Sequence, residues 1–301
     1  MGKVAFTFPG VGVPFSGHEA AFLARNEPVM RPFLEEAGER VGVDLVEPLR
    51  AQDTSGLDVL ACQVLTHAFD VAVAEACRAR GVEPSMTAGY SLGIYPALVA
   101  SGAVGFGEGL DFVECAYRRM KEVRPEPVWG LAVIIGLERD EVDAILRDAL
   151  MRINTNNATS HVVSGSREAL ESLSARAAEA GAIKTVLLDV DLPYHHPGLL
   201  GDATPPFADD LRKASWRTAR CPVVSSIDQR LLSTPESLVD LTARNISTPI
   251  DWQAVVRTMS ANGVETVVEC GAGISLTQNA RLMEDPPSFV SVKTSLRRIS
   301  V

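Results

Sequence analysis

This sequence predicts an α/β protein in which a large body on a parallel sheet is interrupted by one small inserted unit. Three observations carry that expectation. Short β-prone runs alternate with segments whose apolar residues recur every three or four positions, the pattern of successive βα units. The run "SMTAGYSLGIYPALVASG" reads as strand, sharp turn and helix, with Gly89, Ser91 and Gly93 forming a G-x-S-x-G elbow. Between Gly130 and Val190 the order is β-α-β-β-α-β, which is that of a ferredoxin-like unit. Together they describe an α/β-hydrolase-like parallel-sheet core with an inserted ferredoxin-like subdomain. We place the large body at 1–125 and 195–301, and the insert at 126–194.

Each element follows from its residues. "KVAFTF" is a first strand that stops at the Pro/Gly loop "PGVGVP". Apolar spacing makes Ala20–Val41 and Val59–Ala79 helices, and Gly102 ends the helix that leaves the elbow. In the insert, "GLAVIIGL", "MRINTN", "HVVSG" and "AIKTVLLDV" are strands, and Ser166 caps the helix "SREALESLSARAAEAG". Beyond it come a helix near Pro206–Lys213, a strand "CPVVSS", helices around Glu236–Arg244 and after "TPIDW", and a last strand-turn-helix in "VETVVECGAGISLTQNA". A large core beside a small insert leaves a cleft, where sites commonly lie.

Composition narrows the class. With 301 residues, 46% apolar and 22% charged, the chain has the make-up of an ordinary globular enzyme. A formal charge of −10 argues against nucleic-acid binding, which needs a Lys/Arg surplus. Five cysteines, odd in number and without metal-ligand spacing, fit a reducing, cytoplasmic compartment and no metal site. The start of the chain has no signal-peptide pattern, and no window of about 18 uninterrupted apolar residues indicates a membrane span.

Ser91 is a nucleophile only if a base takes its proton. Of five histidines, His18 and His67 fall on helices and His161 in a strand of the insert. His195 and His196, in "LPYHHPG", follow the return from the insert, where a loop can bring an imidazole over the elbow. Asp189 and Asp191 are candidate orienters of that base by analogy with serine hydrolases, although they flank a strand.

At these residues the sequence resembles the malonyl-CoA:acyl-carrier-protein transacylases and the related acyltransferase domains of polyketide synthases. "FTFPGVGVP", Cys62–Gln63, "AGYSLGIYPAL", "INTNNATSHVVSG", "PYHHP" and "VVECGAGISLT" match the family's motifs in order over almost the whole chain. The resemblance implies that Ser91 forms the acyl-enzyme and that His195 is its general base and acid. It places the oxyanion between the backbone N–H groups of Val11 and Leu92. The family orients its base with a main-chain carbonyl, here that of Asn245. Gln63 and His196 would belong to the acyl pocket. The resemblance also implies no bound cofactor, an acyl-CoA or a phosphopantetheinyl acyl carrier protein as substrate, an acyl carrier protein as partner, and a monomer.

Three polar or charged positions of the family near the acyl group are changed here. Its carboxylate-binding Arg, in the motif R-G-x-x-M, is Ala116 here in "VECAYRRM"; its His before the serine is Tyr90; its Glu after the elbow is Ile94. Arg118 is expected to pair with Glu114 on the surface, whereas Arg119 shares a side of the helix with Ala116 and could reach inward. A buried carboxylate without a cationic partner is costly, so the pocket formed by Tyr90, Ile94, Ala116, Gln63 and His196 is expected to take an uncharged acyl group. The rivals are an editing hydrolase of the same fold and a conventional malonyl transacylase in which Arg119 or another residue supplies the cation. An acidic carrier needs a local basic face, for which Arg212, Lys213, Arg217, Arg220, Arg297 and Arg298 are candidates.

Overall fold

The computed structural model describes residues 2–126, 128–147, 150–188 and 190–293, which form two sheets with helices packed around them. In chain order the strands are β1 (Lys3–Phe8), β2 (Met86–Gly89), β3 (Trp129–Ile135), β4 (Met151–Asn157), β5 (Ser160–Ser166), β6 (Lys184–Leu188), β7 (Val223–Val224), β8 (Leu231–Leu232), β9 (Ile250–Asp251), β10 (Val264–Glu269) and β11 (Ser288–Ser291). The larger sheet has the order β11-β10-β1-β2-β7-β8 and is parallel except for the β7–β8 pair. Strands covered on both faces need apolar residues throughout. Accordingly Ala5, Phe6, Phe8, Met86 and Ala88 are all buried. The strand expected over "CPVVSS" shortens to two residues.

The smaller sheet has the order β6-β3-β5-β4-β9. Its first four strands are antiparallel, in the ferredoxin-like arrangement. The fifth, β9, lies far beyond the insert in sequence and pairs in parallel with β4 at Asn154 and Thr155. The small sheet is therefore completed by residues of the large body, and the helix Trp252–Ala261 that follows β9 packs on β4 as well.

Helix Val59–Arg78 is the described helix long and apolar enough to cross a membrane by length and composition. It lies mostly buried between helices Glu19–Val41 and Phe106–Val123. Asp58 caps it, accepting from Ala61 N at 2.7 Å. Helix Glu19–Val41 bends at Asn26, two residues ahead of Pro28, where the pyrrolidine ring removes a backbone donor and crowds the preceding turn.

Candidate active site

β2 ends at Gly89, and the chain passes through Tyr90 into a single 3-10 turn, Ser91–Gly93, before helix Ile94–Ser101. Two glycines make this possible. A Cβ on Gly89 would lie 2.1 Å from Ile94 N, and one on Gly93 would lie 2.1 Å from the Phe8 carbonyl oxygen. Strand and helix are thus packed too closely for side chains at either position, and Ser91 projects into the cleft. Its φ is +55°, a left-handed conformation that costs a residue with a side chain roughly 1–3 kcal/mol. Asn245 helps to hold that backbone, donating from Nδ2 to the Ser91 carbonyl at 3.1 Å.

Ser91 Oγ lies 2.8 Å from His195 Nε2. His195 also has a positive φ, +60°, fixed by its own N–H donating to the Ile246 carbonyl at 3.0 Å. On the far side of the ring, Nδ1 lies 3.2 Å from the Thr248 carbonyl, so Nδ1 carries the proton and Nε2 is the acceptor that faces the serine. The expected orienter, the Asn245 carbonyl, is a second backbone partner of the same ring. Burial lowers the His195 pKa to about 4, against the opposing pull of the Asn245 and Thr248 carbonyls. The imidazole is therefore neutral near pH 7, as a base must be.

Ser91 opens onto a cavity of about 110 Å³ between the two sheets, lined in part by Val11, Leu92, Gln63, Ala116, His195 and Asn245. Val11 N–H donates to no backbone or side-chain group among the described residues. Leu92 N–H, in the first turn of the 3-10 segment, has no acceptor within that turn. Both residues line the same cavity as Ser91. Gln63 Nε2 donates to the Tyr194 hydroxyl at 3.1 Å, which fixes one wall.

Two expected pocket residues lie elsewhere. Ile94 is 1% exposed and packs in the main core rather than on the cavity, because the helix presents Tyr95, four residues after Ser91, to the cleft instead. His196 is buried at the start of helix Pro197–Leu200, turned toward Gly198 and off the cavity. Tyr90 does line the cavity, but its hydroxyl is committed: it donates to Asn156 Oδ1 at 2.8 Å and accepts from Asn154 Nδ2 at 2.9 Å. Its ring meets Trp252 edge-on at 5.6 Å. Tyr90 thus ties the elbow to β4, and burial pushes its pKa up to about 12. The sequence reading missed Tyr95, Met120 and Tyr194, and also Leu131 and Val162 from the small sheet. Spacing was the available signal for one of them, since Met120 follows Ala116 by one helical repeat.

No Arg or Lys lines the cavity among the described residues. Arg119 turns outward to Asp210 (2.7 Å) and Glu122 (2.9 Å). Arg118 lies near Cys115 and Asp210 instead of the expected Glu114, which faces Arg40. Asp191 accepts from the Tyr117 hydroxyl at 2.8 Å and from Lys121 at 3.1 Å, and so does not orient His195; Asp189 lies outside the described residues. His67 is fully buried against Phe106, away from Ser91. Of the basic-face candidates, Arg212 and Lys213, just past the end of helix Thr204–Leu211, pair with its Asp209 and Asp210, and Arg297 and Arg298 lie outside the described residues.

The family model for the acyl transferase domain matches residues 5–283. The malonyl CoA-acyl carrier protein transacylase of Escherichia coli strain K12 is 30% identical over 284 residues, spanning 92% of this chain and 91% of that protein. Its counterpart from Bacillus subtilis strain 168 is 27% identical over 280 residues, spanning 91% and 88%. Among solved structures, a type II PKS acyl-carrier protein in complex with its malonyl-transacylase offers a chain that is 28% identical, with a TM-score of 0.88 and coverage of 97% and 96%. The malonyl-CoA:acyl carrier protein transacylase of Xanthomonas oryzae pv. oryzae is 27% identical, with a TM-score of 0.89 and coverage of 99% and 97%.

Proposed function

We propose, because this chain belongs to the acyl transferase domain family, that Ser91 takes an acyl group from a thioester and yields it to the phosphopantetheine thiol of an acyl carrier protein. The chain is an acyltransferase of the malonyl-CoA:acyl-carrier-protein transacylase type, the type found in fatty-acid and polyketide synthesis. The observation that carries the proposed mechanism is the 2.8 Å contact between Ser91 Oγ and a neutral, backbone-oriented His195 at the mouth of a mostly apolar cavity. Ser91 Oγ attacks the thioester carbonyl while its proton passes to His195 Nε2. The Val11 and Leu92 amides hold the oxyanion, and each such donor is worth about 10²–10³ in rate. As the C–S bond breaks, His195 gives the proton to the departing thiolate. The carrier thiol then loses its proton to His195 and attacks the ester, and Ser91 leaves with that proton. These steps use no resident cofactor or metal. Five cysteines without a disulfide support a cytoplasmic location, and we expect a monomer.

For the acyl group, malonyl is the first reading. The relatives compared above carry malonyl in their names, and this likeness supports conventional malonyl transfer better than it supports the uncharged group expected from Ala116. One observation favours an uncharged group as a second reading: no described cation lines the cavity, and Arg119 is held outside it by two carboxylates. The test is intact-protein mass spectrometry of the wild type and Ser91→Ala after brief exposure to malonyl-, acetyl- and butyryl-CoA, followed by addition of holo carrier protein. Loss of every adduct in Ser91→Ala and discharge onto the carrier are expected. An adduct that survives Ser91→Ala refutes the nucleophile, and one that decays equally fast in water alone makes the chain a hydrolase.

A further inference from the structure

The chain has four tyrosines, and three of them give their hydroxyl a partner. Tyr90 bonds Asn154 and Asn156, Tyr117 bonds Asp191, and Tyr194 bonds Gln63. Tyr95 is the exception. It is 4% exposed, yet its hydroxyl makes no hydrogen bond among the described residues. The ring is buried but the hydroxyl oxygen is not sealed in, so it keeps a face open to a partner that the protein itself does not supply.

Tyr95, in the first turn of the helix that follows the elbow, lines the acyl cavity together with Ser91. Ala116, where the cation is missing, lines the same cavity. Around it the wall is apolar, with Met120, Leu131 and Val162. Burial raises the Tyr95 pKa, so the group is a proton donor at every working pH. The cavity, about 110 Å³, is smaller than the ~150 Å³ apolar cavity that accommodates a benzene ring, which suits a short group beside Ser91.

We infer that Tyr95 is a specificity-determining residue, whose hydroxyl donates a hydrogen bond to an oxygen at the far end of a short acyl group on Ser91. This rests on the acyl-Ser91 reading. The ester carbonyl oxygen is served by the Val11 and Leu92 amides, which leaves Tyr95 for a second oxygen further along the chain. A carboxylate, a keto oxygen and a hydroxyl share the required chemistry, and an all-carbon chain lacks it. Against such a chain the phenol stays unpaired, which is how a polar site rejects an analogue that lacks the matching group.

The test measures initial rates of Ser91 acylation, by intact mass, for malonyl-, acetoacetyl-, 3-hydroxybutyryl- and butyryl-CoA with the whole protein and with Tyr95→Phe. At least one oxygen-bearing group should load tenfold or more faster than butyryl in the wild type, and that ratio should fall to within twofold of unity in Tyr95→Phe. Which of the three wins identifies the oxygen. Butyryl loading as fast as all three in the wild type overturns the inference, and so does an unchanged ratio in Tyr95→Phe. The wild-type ratio alone decides it if the variant does not fold. The absence of any Ser91 adduct with all four thioesters instead removes the acyl-enzyme reading, and this inference with it.

Discussion

Asn245 holds the nucleophile by its main chain: its Nδ2 donates to the Ser91 carbonyl oxygen at 3.1 Å, from a side chain that is 2% exposed. The bond restrains the strained φ of Ser91 and leaves the hydroxyl free for His195. Asn245→Ala removes it while keeping the main-chain carbonyl that faces the imidazole. A lost hydrogen bond of about 1–1.5 kcal/mol corresponds to acylation about tenfold slower, with His195 still in place. Rapid-quench acylation kinetics check this, and a rate within twofold of the wild type refutes the positioning role.

The pH dependence follows from His195. Burial holds its pKa near 4, below the ordinary imidazole value, and the base form is the neutral one. Acylation should therefore stay level from neutral pH down to about pH 5 and fall through about pH 4. For stability the folded pKa is the depressed one, so the unfolded chain takes the proton first. The contribution of neutral His195 is complete above the ordinary imidazole value and is lost as pH falls from there toward 4. A midpoint near the ordinary value in the acylation profile would mean that the ring is solvated in the working enzyme.

Gly93 tests the elbow itself. A Cβ there meets the Phe8 carbonyl at 2.1 Å, a main-chain atom of β1 that cannot swing aside. Gly93→Val should displace the 3-10 turn and abolish detectable acylation, with a lowered melting temperature. A folded variant with normal turnover would remove Ser91 from the role of nucleophile.

Tyr90 joins the two sheets through Asn154 and Asn156. Tyr90→Phe keeps the ring against Trp252 but leaves two buried carboxamides short of a partner, at a cost of about 1–3 kcal/mol. Denaturant unfolding should show that loss. An unchanged midpoint would mean that water or a rearranged amide takes over the bond.

How much of this was legible depended on the range of the interaction. The elbow was readable because its rules are local: Gly89 and Gly93 flank a strained serine between a strand and a helix. The loop-borne His195 was readable because few histidines compete for the role. Family membership followed from ordered motifs. Tyr90 lines the cavity as expected, but its second role as a tie to the small sheet was not legible, since its partners Asn154 and Asn156 lie more than sixty residues away on β4. Ile94 and Tyr95 are adjacent, and only the true helical phase tells which one faces the cleft. β9, at two residues, is too short to show any periodicity, yet it completes the small sheet.

Ala116→Arg separates the two readings of the acyl group. Ala116 is 2% exposed and lines the cavity beside Met120, so a guanidinium there points at the acyl end and has no described carboxylate among its cavity neighbours. In that setting it can pair with a free carboxylate through charge-assisted bonds of about 1.5–3 kcal/mol. It also fills part of a cavity of about 110 Å³ and excludes an alkyl chain. If the wild type takes an uncharged group, the variant should raise malonyl loading relative to butyryl by about 10- to 100-fold. If the wild type already loads malonyl well, the added arginine brings no gain, because a neutral donor such as Tyr95 already serves the carboxylate. Competition between malonyl- and butyryl-CoA, read by intact mass on both proteins, gives the ratio directly. A variant that folds and still loads malonyl more slowly than butyryl would show that position 116 does not face the acyl end.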